Sequence, residues 1–89
     1  REAIKGTMYH INCSPLMHAL RVLPSLPGTI DVSAFGNSVH LLTGSDPGKQ
    51  IDTEIVRYLE SHDILVNEIT TAVPSLEDVF IHLLEKENQ

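Results

Sequence analysis

The run Gly44-Ser45-Asp46-Pro47-Gly48-Lys49-Gln50 has the outline of a phosphate cradle, with two glycines and a lysine ahead of an amphipathic stretch. Such a loop needs four residues between its glycines, so that successive backbone N–H groups curl round the phosphates, and a Ser or Thr after the lysine to hold magnesium. Only three residues intervene here, and Gln50 follows Lys49. Pro47 brings no N–H, and Asp46 sets a carboxylate where the phosphate charge would lie. The run therefore reads as a loop in which Ser45 or Asp46 caps the next helix.

Histidine is the other residue type that invites chemistry, at His10, His18, His40, His62 and His82. None has the HExxH or HxxxH spacing that sets two imidazoles on one helix face, so they read as motifless surface histidines; His10 and His40 share a face if the strands that carry them are neighbours. Cys13 paired with His10 or His40 would be a nucleophile and base without an orienting third group. No serine sits in a G-x-S-x-G elbow, and Ser14, Ser25, Ser33, Ser38, Ser45, Ser61 and Ser75 fall at caps, turns and strand faces. An acylphosphatase-like hydrolase would need an Arg and an Asn held by a phosphate loop, and the spacing of Arg21 and Asn37 suggests no such cradle.

The elements that would position these residues follow from periodicity. Residues 7–13 alternate, with Tyr9, Ile11 and Cys13 on one face and His10 and Asn12 on the other, the period of a half-buried strand. Ser14 as N-cap and Pro15 at the first helical position open a short helix carrying Leu16, Ala19, Leu20 and Leu23, which Pro24 stops. After the Leu26-Pro27-Gly28 turn, Ile30, Val32 and Ala34 alternate; Gly36-Asn37 supplies a two-residue hairpin turn, and Val39, Leu41 and Thr43 resume the alternation. A second helix buries Ile51, Ile55, Tyr58 and Leu59 and ends near His62-Asp63. Residues 64–71 read as a fourth strand, with Leu65, Asn67, Ile69 and Thr71 set against Val66 and Glu68. Beyond Val73-Pro74, Leu76, Val79, Phe80, Leu83 and Leu84 recur at offsets 0, 3, 4, 7 and 8, a helical stripe that Ser75 caps, with Ile81 on the opposite side. The order β-α-β-β-α-β plus a C-terminal helix predicts an α+β, ferredoxin-like split βαβ fold with an antiparallel sheet.

With 89 residues and 42% hydrophobic composition, one small globular domain is expected. Twelve acidic against six basic residues give a net charge of -6, the wrong sign for a phosphate-binding surface. Tyr9, Tyr58, Phe35 and Phe80 are the only aromatics by the usual count, and none falls on the third strand, so the stacking platform of an RNA-binding sheet is not expected. Cys13 alone makes no internal disulfide, which suits the cytoplasm. No apolar run is long enough to span a bilayer, and the start Arg1-Glu2-Ala3-Ile4-Lys5-Gly6 has neither Met nor a signal stretch, as if cut from a longer chain.

The segment Val73-Pro74-Ser75-Leu76-Glu77-Asp78-Val79-Phe80-Ile81-His82-Leu83 resembles the closing phrase of ATP-binding subunits of ABC transporters, in the branch that exports drugs, antibiotics, lipids or polysaccharide. The domain length and the Leu26-Pro27-Gly28 turn are similar as well. The resemblance implies that residues 1–6 are a linker from a parent chain and that 7–89 form an accessory regulatory or assembly domain. It implies no catalysis and no cofactor in this fragment, since the phosphate loop, signature, Walker B carboxylates and switch histidine have no counterpart here; ATP and magnesium belong to the parent ATPase domain. Its implied partners are that domain, the sister ATP-binding subunit and, indirectly, the membrane permease, on the cytoplasmic face of the plasma membrane. Pairing of two copies through a strand edge is a further partner expectation, and nucleic acid is not among the partners. The family phrase Pro74, Ser75, Leu76, Glu77, Asp78, Val79, Phe80 and Ile81 doubles as a candidate docking helix. The competing reading is a small-molecule-sensing, ACT-like ferredoxin-like regulatory domain, motivated by the fold class and the Gly44–Gly48 loop.

Overall fold

Strand β1 (Thr7–Ser14) buries every second side chain: Tyr9, Ile11 and Cys13 are shut from solvent while His10 and Ser14 are exposed. That alternation makes it an interior strand with one wet face. In the computed structural model, which describes residues 6–45 and 51–72, β1 lies between two antiparallel partners. The remaining elements are α1 (Leu16–Val22) with a 3-10 turn at Leu23–Ser25, β2 (Thr29–Phe35), β3 (Ser38–Thr43), α2 (Asp52–Glu60) and β4 (Leu65–Ala72). The described residues thus form an α+β unit, a four-stranded antiparallel sheet in the order β2-β3-β1-β4 with two helices. No helix among them is long and apolar enough to cross a membrane.

Both helices pack on the same sheet face. Ala19 and Leu23 from the first, and Ile55 and Leu59 from the second, join Tyr9, Ile11, Cys13, Val39 and Leu41 in one core. Leu16, Leu20, Val32, Val66 and Ile69 close its rim. Burying each large aliphatic or aromatic side chain here is worth about 1.5–3 kcal/mol, so this one layer supplies most of the drive to fold. Two tyrosines then stitch helices to neighbours: Tyr58 donates its hydroxyl to the Val22 carbonyl at 2.6 Å, and the Tyr9 hydroxyl accepts the Ile51 N–H at 3.2 Å.

Several local expectations are corrected. Ser14 belongs to the strand and pairs with Leu65, so it cannot cap α1; Pro15 stands at the N-cap, after a cis peptide bond, with no side-chain cap. Ser45 does not cap α2 either, because its carbonyl accepts from Thr7 and its hydroxyl pairs with Thr43 at 2.8 Å; Ile51 is the N-cap, without a side-chain bond. Asp46 and the rest of the 46–50 run lie outside the described residues, as do the 1–5 part of the expected linker and the expected C-terminal helix.

Two bulges revise the strand faces. Cys13 pairs with Val66 while Asn12 pairs with Glu68, so Asn67 is an extra residue in β4. Opposite Tyr9, Ile11 and Cys13 stand Thr71, Ile69 and Val66, whereas strict alternation would have turned Asn67 and Leu65 inward. Leu65 is instead exposed. Ile30 is similarly skipped between the Thr29 and Asp31 pairings of β2, and it too is exposed rather than inward with Val32.

Gly36 opens the hairpin turn with φ 62°, a left-handed value that a side chain adopts only under strain. Gly6 is more tightly specified: its φ is 134°, and a Cβ there would meet the Thr43 carbonyl oxygen at 2.5 Å. Gly36 has open space around it, so Gly36→Ala should cost about 1 kcal/mol, the left-handed penalty alone. Gly6→Ala adds a backbone collision and should cost about 3 kcal/mol. Urea unfolding of the two variants checks this, and equal midpoints would contradict the packing at Gly6.

Candidate functional site on the open sheet face

The face of the sheet away from the helices is set by register. Cross-strand partners project to the same side, which aligns Met8 with Leu42, His10 with His40 and Ser33, and Asn12 with Ser38 and Phe35. On it, the His10 and His40 rings stack with centroids 4.1 Å apart and planes 16° from parallel. Phe35 stacks on the other flank of His40 at 4.8 Å and 24°. Three flat rings therefore form one row across β1, β3 and β2, and its end member Phe35 is 68% exposed. Beside the row, Asn67, swung out by the bulge, donates its amide to the Asn12 side-chain oxygen at 3.1 Å.

Strand β3 carries no Phe, Tyr or Trp, as expected, yet it contributes the His40 ring to the row. A Phe, Tyr and Trp count misses imidazole, which also stacks. The face-sharing of His10 and His40 was legible from alternation; the contact with Phe35 was not, because it crosses from one ladder rung to the next. Near-parallel rings do not converge their nitrogens on one ion, and no group of three or more metal-ligating side chains occurs among the described residues.

The remaining candidates scatter. Cys13 lies on the core face, opposite His10 and His40, so the two histidines cannot serve it as base. Desolvation by burial also pushes its thiol above the ordinary value of 9.0, the reverse of what a nucleophile needs. His18 and His62 meet edge to face at 6.4 Å, with Tyr58 tilted 4.7 Å from His62. The His62 Nδ1 lies 2.9 Å from the Tyr58 carbonyl oxygen, so these rings finish the α2 C-terminus. Arg21 sits in the last turn of α1 and Asn37 in the β2–β3 turn. The phrase Pro74, Ser75, Leu76, Glu77, Asp78, Val79, Phe80 and Ile81, together with His82, lies outside the described residues.

A buried thiol with a raised pKa favours folding while it stays protonated. Its contribution is full below the unfolded value near 9.0 and is lost as pH climbs from there through the higher native value, because only the unfolded chain ionises in that window. Wild-type stability should accordingly fall above pH 9 relative to Cys13→Ala, which has no thiol to ionise. Urea midpoints at neutral pH and at about pH 10 for both proteins measure the difference.

Compared with family models, curated proteins and solved structures, the chain finds no match.

Proposed function

We propose that this chain is a C-terminal regulatory or assembly domain of an ABC exporter ATP-binding subunit, docking on the ATPase domain of its own chain or on the sister subunit. The observation that carries the reading is the phrase Pro74-Ser75-Leu76-Glu77-Asp78-Val79-Phe80-Ile81. We read the fold as ferredoxin-like; the β-α-β-β-α-β order, the β2-β3-β1-β4 sheet and the helices on one face support that reading. The flat ring row Phe35, His40 and His10 supports a role in contact rather than catalysis.

In this reading ATP and magnesium bind in the parent domain, the permease is reached indirectly, and the assembly sits at the cytoplasmic face of the membrane. The domain acts only through preference. A docked appendage changes turnover by as much as it binds one conformation of the motor better than another, and no more. A preference of about 1.4 kcal/mol would shift the motor equilibrium tenfold.

Sequencing the reading frame upstream of Arg1 tests identity first: a G-x-x-x-x-G-K-[ST] loop followed by LSGGQ is expected in frame. Deleting residues 7–89 from that parent should then change ATPase rate, dimerisation or transport while leaving nucleotide binding intact. A start codon directly before Arg1, or a truncated subunit unchanged in all three activities, would overturn the proposal. The former outcome would bring forward the small-molecule sensor, for which thermal shifts against a metabolite panel are the measurement.

A further inference from the structure

Two of the four large apolar side chains exposed among the described residues, Ile30 at 45% and Phe35 at 68%, stand on β2. That strand is also an edge of the sheet, with β3 on one side and no strand on the other among the described residues. An unpaired edge is a template for another strand unless Lys, Pro, a bulge or short length blunts it. From Asp31 to Phe35 the ladder with β3 is regular, and the run Asp31-Val32-Ser33-Ala34-Phe35 holds neither Lys nor Pro. The opposite edge is better guarded, because β4 is interrupted by its bulge at Asn67 and sets the charge of Glu68 next to it.

We propose that β2 is a self-association edge, on which a second copy of this chain pairs its own β2 antiparallel about a two-fold axis at Ser33. Antiparallel strands join residues that share a face, so a two-fold pairing is centred on a residue and never between two. Centred on Asp31, the two carboxylates would oppose each other; centred on Val32, the skipped Ile30 would be drawn into the ladder; centred on Ala34, only residues 33–35 would pair. Ser33 is the centre that uses the whole regular run. It sets Asp31 against Phe35, Val32 against Ala34 and Ser33 against itself, and it holds the two Asp31 residues about 13 Å apart along the strands. The fit is reciprocal, which favours a second copy over an unrelated strand. On the helix side, Val32 is half-buried and Ala34 exposed although both pair with core residues of β3, and each would be covered by the other from the second copy. On the open side, Phe35 at the end of the ring row would lie beside Asp31 and Ser33 of the second copy. The inference does not depend on the transporter reading.

The full chain in solution tests this. At 0.15 M salt, where charges are screened beyond about 8 Å, sedimentation should show a monomer–dimer equilibrium between about 0.05 and 1 mM, the weak range expected of a contact below about 1,200 Å². Ser33→Cys, oxidised with diamide, should give a covalent dimer, because residues opposed across antiparallel strands stand about 4.5–5.5 Å apart at Cα, within disulfide reach. Ile30→Cys should not, since the same register separates its two copies by about 20 Å. Cys13 is buried and does not compete. Ser33→Lys sets two ammonium groups opposite each other at an exposed position and should weaken association about tenfold, with the β2–β3 amide shifts retained. A monomer throughout that range, Ile30→Cys cross-linking as fast as Ser33→Cys, or a Ser33→Lys dimer of unchanged strength would each overturn the proposal.

Discussion

Burial of the Tyr9, Ile11 and Cys13 face of β1 against the helices is the interaction on which the described fold depends. These side chains sit at the middle of the sheet, with Val39 and Leu41 on one flank and Val66 and Ile69 on the other, and both helices close over them. The ladders on either side of β1 hold that face flat enough to cover. Tyr9 adds a directional term to a non-directional one. Fully buried, it still accepts the Ile51 N–H, so the start of α2 is tied to the central strand by a bond that would be costly to leave unmade.

With one face sealed, every residue at the alternate positions is committed to the other side, and the sheet has two unlike faces. The sealed face is mostly apolar and holds the one cysteine in a form that resists ionisation. The open face is mixed, with a row of rings at its middle and an apolar pair at one end. Charge does not dominate it, and it carries no close-set constellation of nucleophile and base among the described residues.

Most of the element order was legible in the chain. Alternation in residues 7–13, the Gly36-Asn37 turn and the Ile55/Leu59 stripe each report a local period that packing has no reason to override. The capping assignments failed for a shared reason. Ser14 and Ser45 have the right chemistry for caps, but each was already engaged by a strand, Ser14 through its ladder pairing with Leu65 and Ser45 through Thr7 and Thr43. Whether a serine caps depends on where the fold places it in three dimensions.

The same distinction separates what the chain determined alone from what its tertiary structure decided. Among the described residues, spacing of apolar residues settled which segments are strands and helices and which side of β1 turns inward, because one strand's faces follow from a period of two. It did not settle the faces of β4 and β2, where the extra residues Asn67 and Ile30 reverse the alternation, since a bulge exists only relative to a partner strand. Nor did it reveal the stack of Phe35, His40 and His10, three residues from three strands. Their contact is fixed by ladder register, a relation between segments that no single segment encodes.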